Sequence, residues 1–285
     1  MIDRDGPVVR PAHPPAGLQR RTPNAEHRTD ASAMPSRDDT ADMPGAGSVD
    51  PKDHPPIALP DEDWAWFCER CAALALPDPG PLRGRLEALF GHLVGVNRWL
   101  NLTTVSGAHD WLKLHVLDSL TGLCDTRLQH LAEGAPCVDL GSGGGYPGLP
   151  LALVSGGRVP WVLADARRKK AEFLAAAGTL VGPQVSGLHL RGSLAASAAP
   201  ALHRRCQLVV NRAMGQADEV LAEAAPLLRP HGHLLIWKGP AFEGQERDRA
   251  AAAAPKLGYR VVGVRRLTLV AGDPERVLAC YERTG

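Results

Sequence analysis

The densest chemistry in the chain lies in Val138-Asp139-Leu140-Gly141-Ser142-Gly143-Gly144-Gly145-Tyr146-Pro147-Gly148. A short apolar run enters a glycine-rich turn, and Pro147 suits the first turn of a following helix. Glycines at such a turn let a ligand come close to the backbone. Two ligand classes compete for it. Gly143-x-Gly145-x-x-Gly148 fits the dinucleotide fingerprint, a weak match in so glycine-rich a segment. Gly141-x-Gly143-x-Gly145, with Asp139 ahead of it, fits an S-adenosylmethionine loop better. A carboxylate at a strand end repels a pyrophosphate and suits the ammonium of a methionine moiety. Asp165 ends the next apolar run and serves either cofactor, because both carry a ribose diol that donates to a carboxylate. A glycine turn that holds no ligand is the third reading.

Other side chains gather around the same edge. His115 and Asp118 are three apart and share a helix face. They either line the substrate side of the pocket or form a His–Asp pair that locks a helix to the sheet. Asn211 and Arg212 end a further apolar run. Arg212 is at the ligand edge of the sheet, with Asn211 beside it. Arg167-Arg168-Lys169-Lys170 opens a helix, where four cations oppose the macrodipole. A phosphate-binding role accounts for that placement, a solvated face being the plainer alternative. Lys238, Arg204-Arg205 and Arg265-Arg266 extend the patch in this reading. Cys68 and Cys71 have metal-ligand spacing but no second pair, so buried free thiols and no metal are expected. Trp64, Trp66, Trp99 and Trp111 sit at helical spacing, which favours packing over base stacking.

Alternating elements must position these groups. Apolar residues from Trp64 to Ala75 and from Leu82 to Leu100 recur at helical intervals. Ser106 is a candidate cap for a third helix through Leu123. From Pro136 onward, strand-like runs at 136–140, 161–164, 188–190, 208–210 and 234–237 alternate with helical stretches. That pattern predicts a parallel α/β sheet covered on both faces. Tyr259–Val264 and Arg276–Tyr281 follow without a clear helix between them, as an antiparallel pair at the sheet end would. The chain therefore divides into 1–60, a helical segment 61–132 and an α/β domain 133–285.

Residues 1–60 hold 11 prolines and no Phe, Trp or Tyr, so they read as a disordered tail. Beyond them, 25 Lys/Arg stand against 22 Asp/Glu, so any nucleic-acid partner must be met by a local patch. No run of 18 apolar residues and no secretory h-region is present, which predicts no membrane partner.

From Asp61 to the C-terminus the chain resembles the RsmG (GidB) family of bacterial 16S ribosomal RNA guanine-N7 methyltransferases. The resemblance rests on Asn97-x-x-x-Asn101-Leu102-Thr103, His115-x-x-Asp118-Ser119, Asp139–Pro150 with its Pro147-Gly148 pair, Asp165 with Lys169-Lys170, Asn211-Arg212-Ala213 and Lys238-Gly239. It implies a class I S-adenosylmethionine-dependent methyltransferase fold: a Rossmann-like, seven-stranded mixed sheet with a reversed last strand and N-terminal helices packed on it. It implies cofactor contacts at Gly141, Tyr146, Gly192, Ser193 and Arg212, beside Asp139, Gly143, Gly145 and Asp165. The family usually has an acid where this chain has Ser193, and often an Arg where it has Leu114. The partner implied is 16S rRNA or the small ribosomal subunit, for a cytoplasmic protein acting as a monomer. With that substrate, Arg212 is expected to touch cofactor or RNA, and Asn211 to hydrogen-bond the guanine edge. A non-catalytic assembly factor, an NAD-dependent oxidoreductase and a small-molecule methyltransferase stay open as alternatives.

Overall fold

The structure is a computed structural model and describes residues 47–285. Most of the tail read over 1–60 lies outside the described residues. Residues 47–60 correct that reading, because they pack along the second helix. Leu59 is buried, the Ile57 N–H bonds the Glu87 carbonyl at 3.2 Å, and the His92 ring bonds the Val49 carbonyl at 2.8 Å. A Cβ at Gly91 would stand 2.2 Å from the Pro55 carbonyl oxygen. This proline-rich stretch builds no core of its own and orders by borrowing a helix surface.

Helix α1 (Asp61–Ala73) buries Phe67 and Cys71, and α2 (Arg83–Leu100) buries Leu86, Leu89, Phe90, Leu93 and Val96. Asn101 ends α2 in the left-handed region at φ 50°. The third helix, α3, starts later than Ser106 would have it. It runs as Ala108–Trp111, widens to a π-helical stretch at Leu112–Leu117 and closes at Asp118–Leu120. Such widened turns recur at functional sites, and this one carries His115.

Short α4 (Thr126–Gln129) leads into the sheet. Its strands are β1 (Cys137–Leu140), β2 (Trp161–Asp165), β3 (Val185–His189), β4 (Cys206–Arg212), β5 (Leu228–Lys238), β6 (Tyr259–Leu267) and β7 (Arg276–Arg283). They lie in the order β3-β2-β1-β4-β5-β7-β6, with β7 antiparallel to both neighbours and the other pairs parallel. The connecting helices are α5 (Gly148–Val154), α6 (Arg168–Val181), α7 (Ala195–Ala198), α8 (Ala217–Ala224) and α9 (Gln245–Ala253). This is the expected class I methyltransferase sheet. The strand order reverses between β1 and β4, so the ligand crevice belongs at the carboxyl ends of these strands.

Alternate residues of the central strands join different cores. Leu208, Val210, Leu235 and Trp237 join one, and Val209, Leu234 and Ile236 join the other. The first core also holds Phe67, Leu86, Phe90 and Trp111. The change at 132/133 is thus a change of element type within one shared core.

Candidate functional site

The glycine loop is built around Asp139. At the end of β1 the backbone N–H groups of Gly141 and Ser142 both donate to the Ala164 carbonyl, at 2.8 and 2.9 Å. The chain then reverses through left-handed residues at Gly141 (φ +73°), Gly143 (+58°) and Gly145 (+97°). Asp139 is fully buried beneath the turn. Its Oδ2 accepts from the Ser142 hydroxyl at 2.6 Å and from the Gly148 N–H, at the start of α5, at 2.7 Å. Burial pushes its carboxyl up to about 6. Asp139 was expected to face the ammonium of a methionine. Its Oδ2 instead clasps the two ends of the loop, and Oδ1 is buried with no protein partner. A carboxylate on the first amide of α5 also repels any pyrophosphate there, which weighs against the dinucleotide alternative.

Asp165 joins this loop to the next unit. Its Oδ2 accepts from the Gly143 N–H at 3.0 Å and its Oδ1 from the Arg167 N–H at 2.8 Å. The glycine cradle, the acid at the end of β2 and the start of α6 are therefore one connected edge. A Cβ at Gly143 would find only the Gly141 carbonyl oxygen, 4.0 Å away, so the space above the loop is open.

A second polar group converges beside it, on Arg212 at the end of β4. Its guanidinium donates through Nη1 to the Leu114 carbonyl at 2.8 Å and to Asp118 Oδ2 at 2.9 Å. Nη2 donates to His115 Nδ1 at 3.0 Å. Arg276, opening β7, adds a bond from Nε to Asp118 Oδ1 at 3.0 Å. Because a guanidinium can only donate, His115 Nδ1 must be an acceptor. The ring proton then sits on Nε2 and donates to Thr103 Oγ1 at 2.7 Å. Burial, helped by the Arg212 charge, lowers the His115 pKa to about 4. The ring stacks on Tyr146, with centroids 4.5 Å apart and 11° between planes, and Arg212 lies 5.5 Å from the same tyrosine ring. Tyr146 in turn accepts a hydrogen bond from Trp111 Nε1 at 2.6 Å.

The two readings of His115 and Asp118 thus resolve into a third arrangement. No direct pair forms between them; Arg212 stands between and binds both. Asn211 corrects the reading that gave it the guanine edge. It is fully buried, and its Nδ2 donates to the Leu140 carbonyl at 2.6 Å, tying β4 to β1. Lys238 is likewise no free cation for RNA. Its side chain is 11% exposed, bonds the Gly215 carbonyl at 2.8 Å and pairs with Glu246 at 2.7 Å. Arg204 and Arg205 precede β4, at the opposite end of the sheet from the loop. Arg266 pairs with Glu243, and Arg265 bonds the Cys124 carbonyl. Arg167, Arg168 and Lys169 do stand exposed where α6 begins, with Lys170 half-buried; Arg168 reaches Glu172 at 3.3 Å.

Gly192 and Ser193 form a turn after β3. The adjoining Leu190 N–H bonds the Asp165 carbonyl at 3.0 Å, which keeps the turn at the same edge. Among the described residues no cluster of His, Cys, Asp or Glu could hold a metal. All six cysteines are free, Cys71 is buried and Cys68 is half-buried. The tryptophans pack as their spacing predicts, for example Trp64 on Phe67 and Trp111 on Phe90.

Sequence reasoning missed Thr103, Arg276 and Trp111 as members of this site. Thr103 was visible as part of the Asn97–Thr103 motif, which has a local purpose. Asn97 Oδ1 accepts from the Leu102 and Thr103 N–H groups at 2.7 and 2.9 Å, and so fixes the loop that holds His115. Arg276 lies 158 residues from Asp118, and no sequence spacing could have paired them.

Comparison with known proteins bears on this edge. A family model described as rRNA small subunit methyltransferase G matches residues 83–267. The ribosomal RNA small subunit methyltransferase G of Myxococcus xanthus is 32% identical over 216 residues, 75% of this chain and 94% of the relative. That of Deinococcus deserti is 35% identical over 207 residues, 72% of this chain and 82% of the relative. A solved structure of a 16S rRNA (adenine(1408)-N(1))-methyltransferase from Catenulisporales acidiphilia is similar over 56% of this chain and 90% of that one, at 19% identity and a TM-score of 0.39.

Proposed function

The chain belongs to the rRNA small subunit methyltransferase G family, and on that premise we propose that it transfers a methyl group from S-adenosylmethionine to N7 of a guanine in 16S ribosomal RNA. The observation that carries the reading is the junction of Gly143 with Asp165. It brings an open glycine cradle and a carboxylate suited to a ribose diol to the reversal point of the sheet. The residues fit the cofactor further. Asp139, fully buried beneath the turn, holds the cradle in shape through Ser142 and Gly148. Gly141, Gly143, Gly145, Asp165 and the Gly192-Ser193 turn would hold it, with Tyr146 and Arg212 as the wall behind.

S-adenosylmethionine supplies an electrophilic methyl group on a sulfonium. Guanine N7 carries its own lone pair on the major-groove edge, so it needs no general base. The site matches that requirement. His115 is neutral at pH 7, its proton is held by Thr103 and its lone pair by Arg212. It positions Tyr146 and Arg212 and exchanges no proton. Catalysis then rests on orientation of the two reactants, which can supply much of the rate. Arg167, Arg168 and Lys169 stand next to Asp165 and would take phosphates of the RNA beside the cofactor. In this reading the protein acts as a monomer on a ribosomal substrate in the cytoplasm. No helix among the described residues is long and apolar enough to cross a membrane.

The test is methylation of small-subunit RNA from a strain lacking the modification, with labelled S-adenosylmethionine. The product is mapped by borohydride–aniline cleavage, which cuts at 7-methylguanine. One labelled cut site is expected. Cofactor binding without label on either naked RNA or assembled subunits would favour the assembly-factor alternative.

A further inference from the structure

The turn after β3 holds its polar groups in an unusual way. Ser193 has two donors, its backbone N–H and its hydroxyl, and both go to one carboxylate. Glu223, near the end of α8, accepts the N–H on Oε2 and the hydroxyl on Oε1, each at 2.9 Å. The backbones are pressed together as well: a Cβ at Gly192 would stand 2.1 Å from the Glu223 carbonyl oxygen. Glu223 lies 30 residues from Ser193, yet it brings to this turn the negative charge that Ser193 lacks.

Each Glu223 oxygen has accepted one bond from Ser193 and retains a lone pair. Leu194, in the same turn, is 52% exposed, the most of the three exposed large apolar side chains among the described residues. An apolar face beside a half-free carboxylate is what a flat heterocycle with an exocyclic amine requires. Position agrees. Asp165 ends β2, between β1 and β3, where a ribose diol would lie; with the rest of the cofactor over the glycine loop after β1, the base extends the other way, toward the turn after β3.

We infer that Glu223 selects the adenine base of the cofactor, accepting a hydrogen bond from its exocyclic amine while Leu194 covers the ring. This rests on the reading of the site as an S-adenosylmethionine site. Glu223 is then a specificity residue supplied by α8, and Ser193 is the residue that aims it.

The experiment measures binding of S-adenosylhomocysteine and of S-inosylhomocysteine to the full chain by titration calorimetry. The inosine compound has a carbonyl oxygen where adenine has its amine, and it sets acceptor against acceptor at Glu223. The native chain is expected to prefer the adenine compound by about ten- to hundredfold, as for a hydrogen bond to a charged group. Glu223→Gln can turn an amide N–H toward the carbonyl, so the preference should collapse to near unity or reverse. Leu194→Ala should weaken both compounds alike. If Glu223→Gln weakens both compounds equally and the ratio stands, Glu223 only braces the turn and the inference is wrong. An unchanged ratio with unchanged affinities overturns it too. If the native chain binds neither compound, the cofactor reading itself fails, and Glu223 falls with it.

Discussion

Two polar regions share one edge of the sheet and are built on opposite plans. Around Arg212, each charge has its counterpart. One guanidinium serves Leu114, His115 and Asp118, and Arg276 takes the remaining Asp118 oxygen. Around the glycine loop, acceptors are left over: Asp139 Oδ1 and Asn211 Oδ1 are buried and unbonded. The closed region joins α3, β4 and β7, so its satisfaction serves the fold. In the open region the space above Gly143 is what a ligand could fill. Breaking the first should therefore cost stability, and altering the second should cost binding.

The largest effect is expected at Arg212. Arg212→Ala leaves a 4%-exposed Asp118 with Arg276 alone and empties the partner site of His115 Nδ1. Truncating one partner of a buried ion pair costs about 3–5 kcal/mol, and urea unfolding would read it. Arg212→Lys should recover less than half, because a single ammonium lacks the planar fork. A loss below about 1 kcal/mol in Arg212→Ala would show that the closed region does not carry the fold.

Acidity separates the regions by sign. The His115 pKa falls from 6.5 to about 4 on folding, so the unfolded chain binds the extra proton. Its stabilising contribution is complete above pH 6.5 and is lost as pH falls toward 4. The Asp139 pKa rises from 3.8 to about 6, so the folded chain binds the extra proton. Its contribution is complete below pH 3.8 and is lost as pH rises through 6. Each shift corresponds to about 3 kcal/mol over its window. Denaturation between pH 4 and 6.5 should thus show His115→Asn gaining stability toward acid relative to the native chain. Asp139→Asn should lose it. Difference curves of the same sign would contradict the contrast.

Gly143→Ala tests the open region directly. The new methyl meets open space, so the stability cost is the left-handed backbone alone, about 1–2 kcal/mol. The methyl also stands in the cradle, and S-adenosylmethionine affinity should drop more than tenfold. Unaltered affinity would move the ligand off this loop.

The same contrast explains what was legible in the sequence. The alternation of strands and helices, the antiparallel pair at the sheet end and the glycine loop could be read because they depend on local periodicity and on residues adjacent in the chain. The reversal of the last strand came from the family resemblance, and the strand order, set by distant pairings, was not read. Side-chain roles at the loop could not be read either. Asp139 and Asn211 have the types that bind ligands, but each sits at a strand end where an unpaired backbone group lies closer than any ligand. Asp139 found the Gly148 N–H, and Asn211 found the Leu140 carbonyl. Lys238 looked like a cation at the ligand edge until Glu246, on the helix that follows β5, folded back and claimed the charge. The stretch 47–60 misled for the same reason, since composition cannot show a borrowed surface.

The smallest effect on the fold belongs to the cations that open α6, and it is the one that reports on RNA. Arg168 and Lys169 are exposed, and the one ion pair there joins Arg168 and Glu172, whose side chains are 71% and 48% exposed. Such a pair contributes little to stability. The double variant Arg168→Gln, Lys169→Gln should unfold within about 0.5 kcal/mol of the native chain. It also relieves two charges that oppose the dipole of α6, so any small change should be stabilising. Binding to small-subunit RNA should weaken, and the slope of log affinity against log salt should fall by about 1.4–1.8, the release expected for two lost phosphate contacts. A slope that stays the same while the fold is intact would return these residues to a solvated helix face, and would leave the RNA to be held by charges elsewhere on this edge.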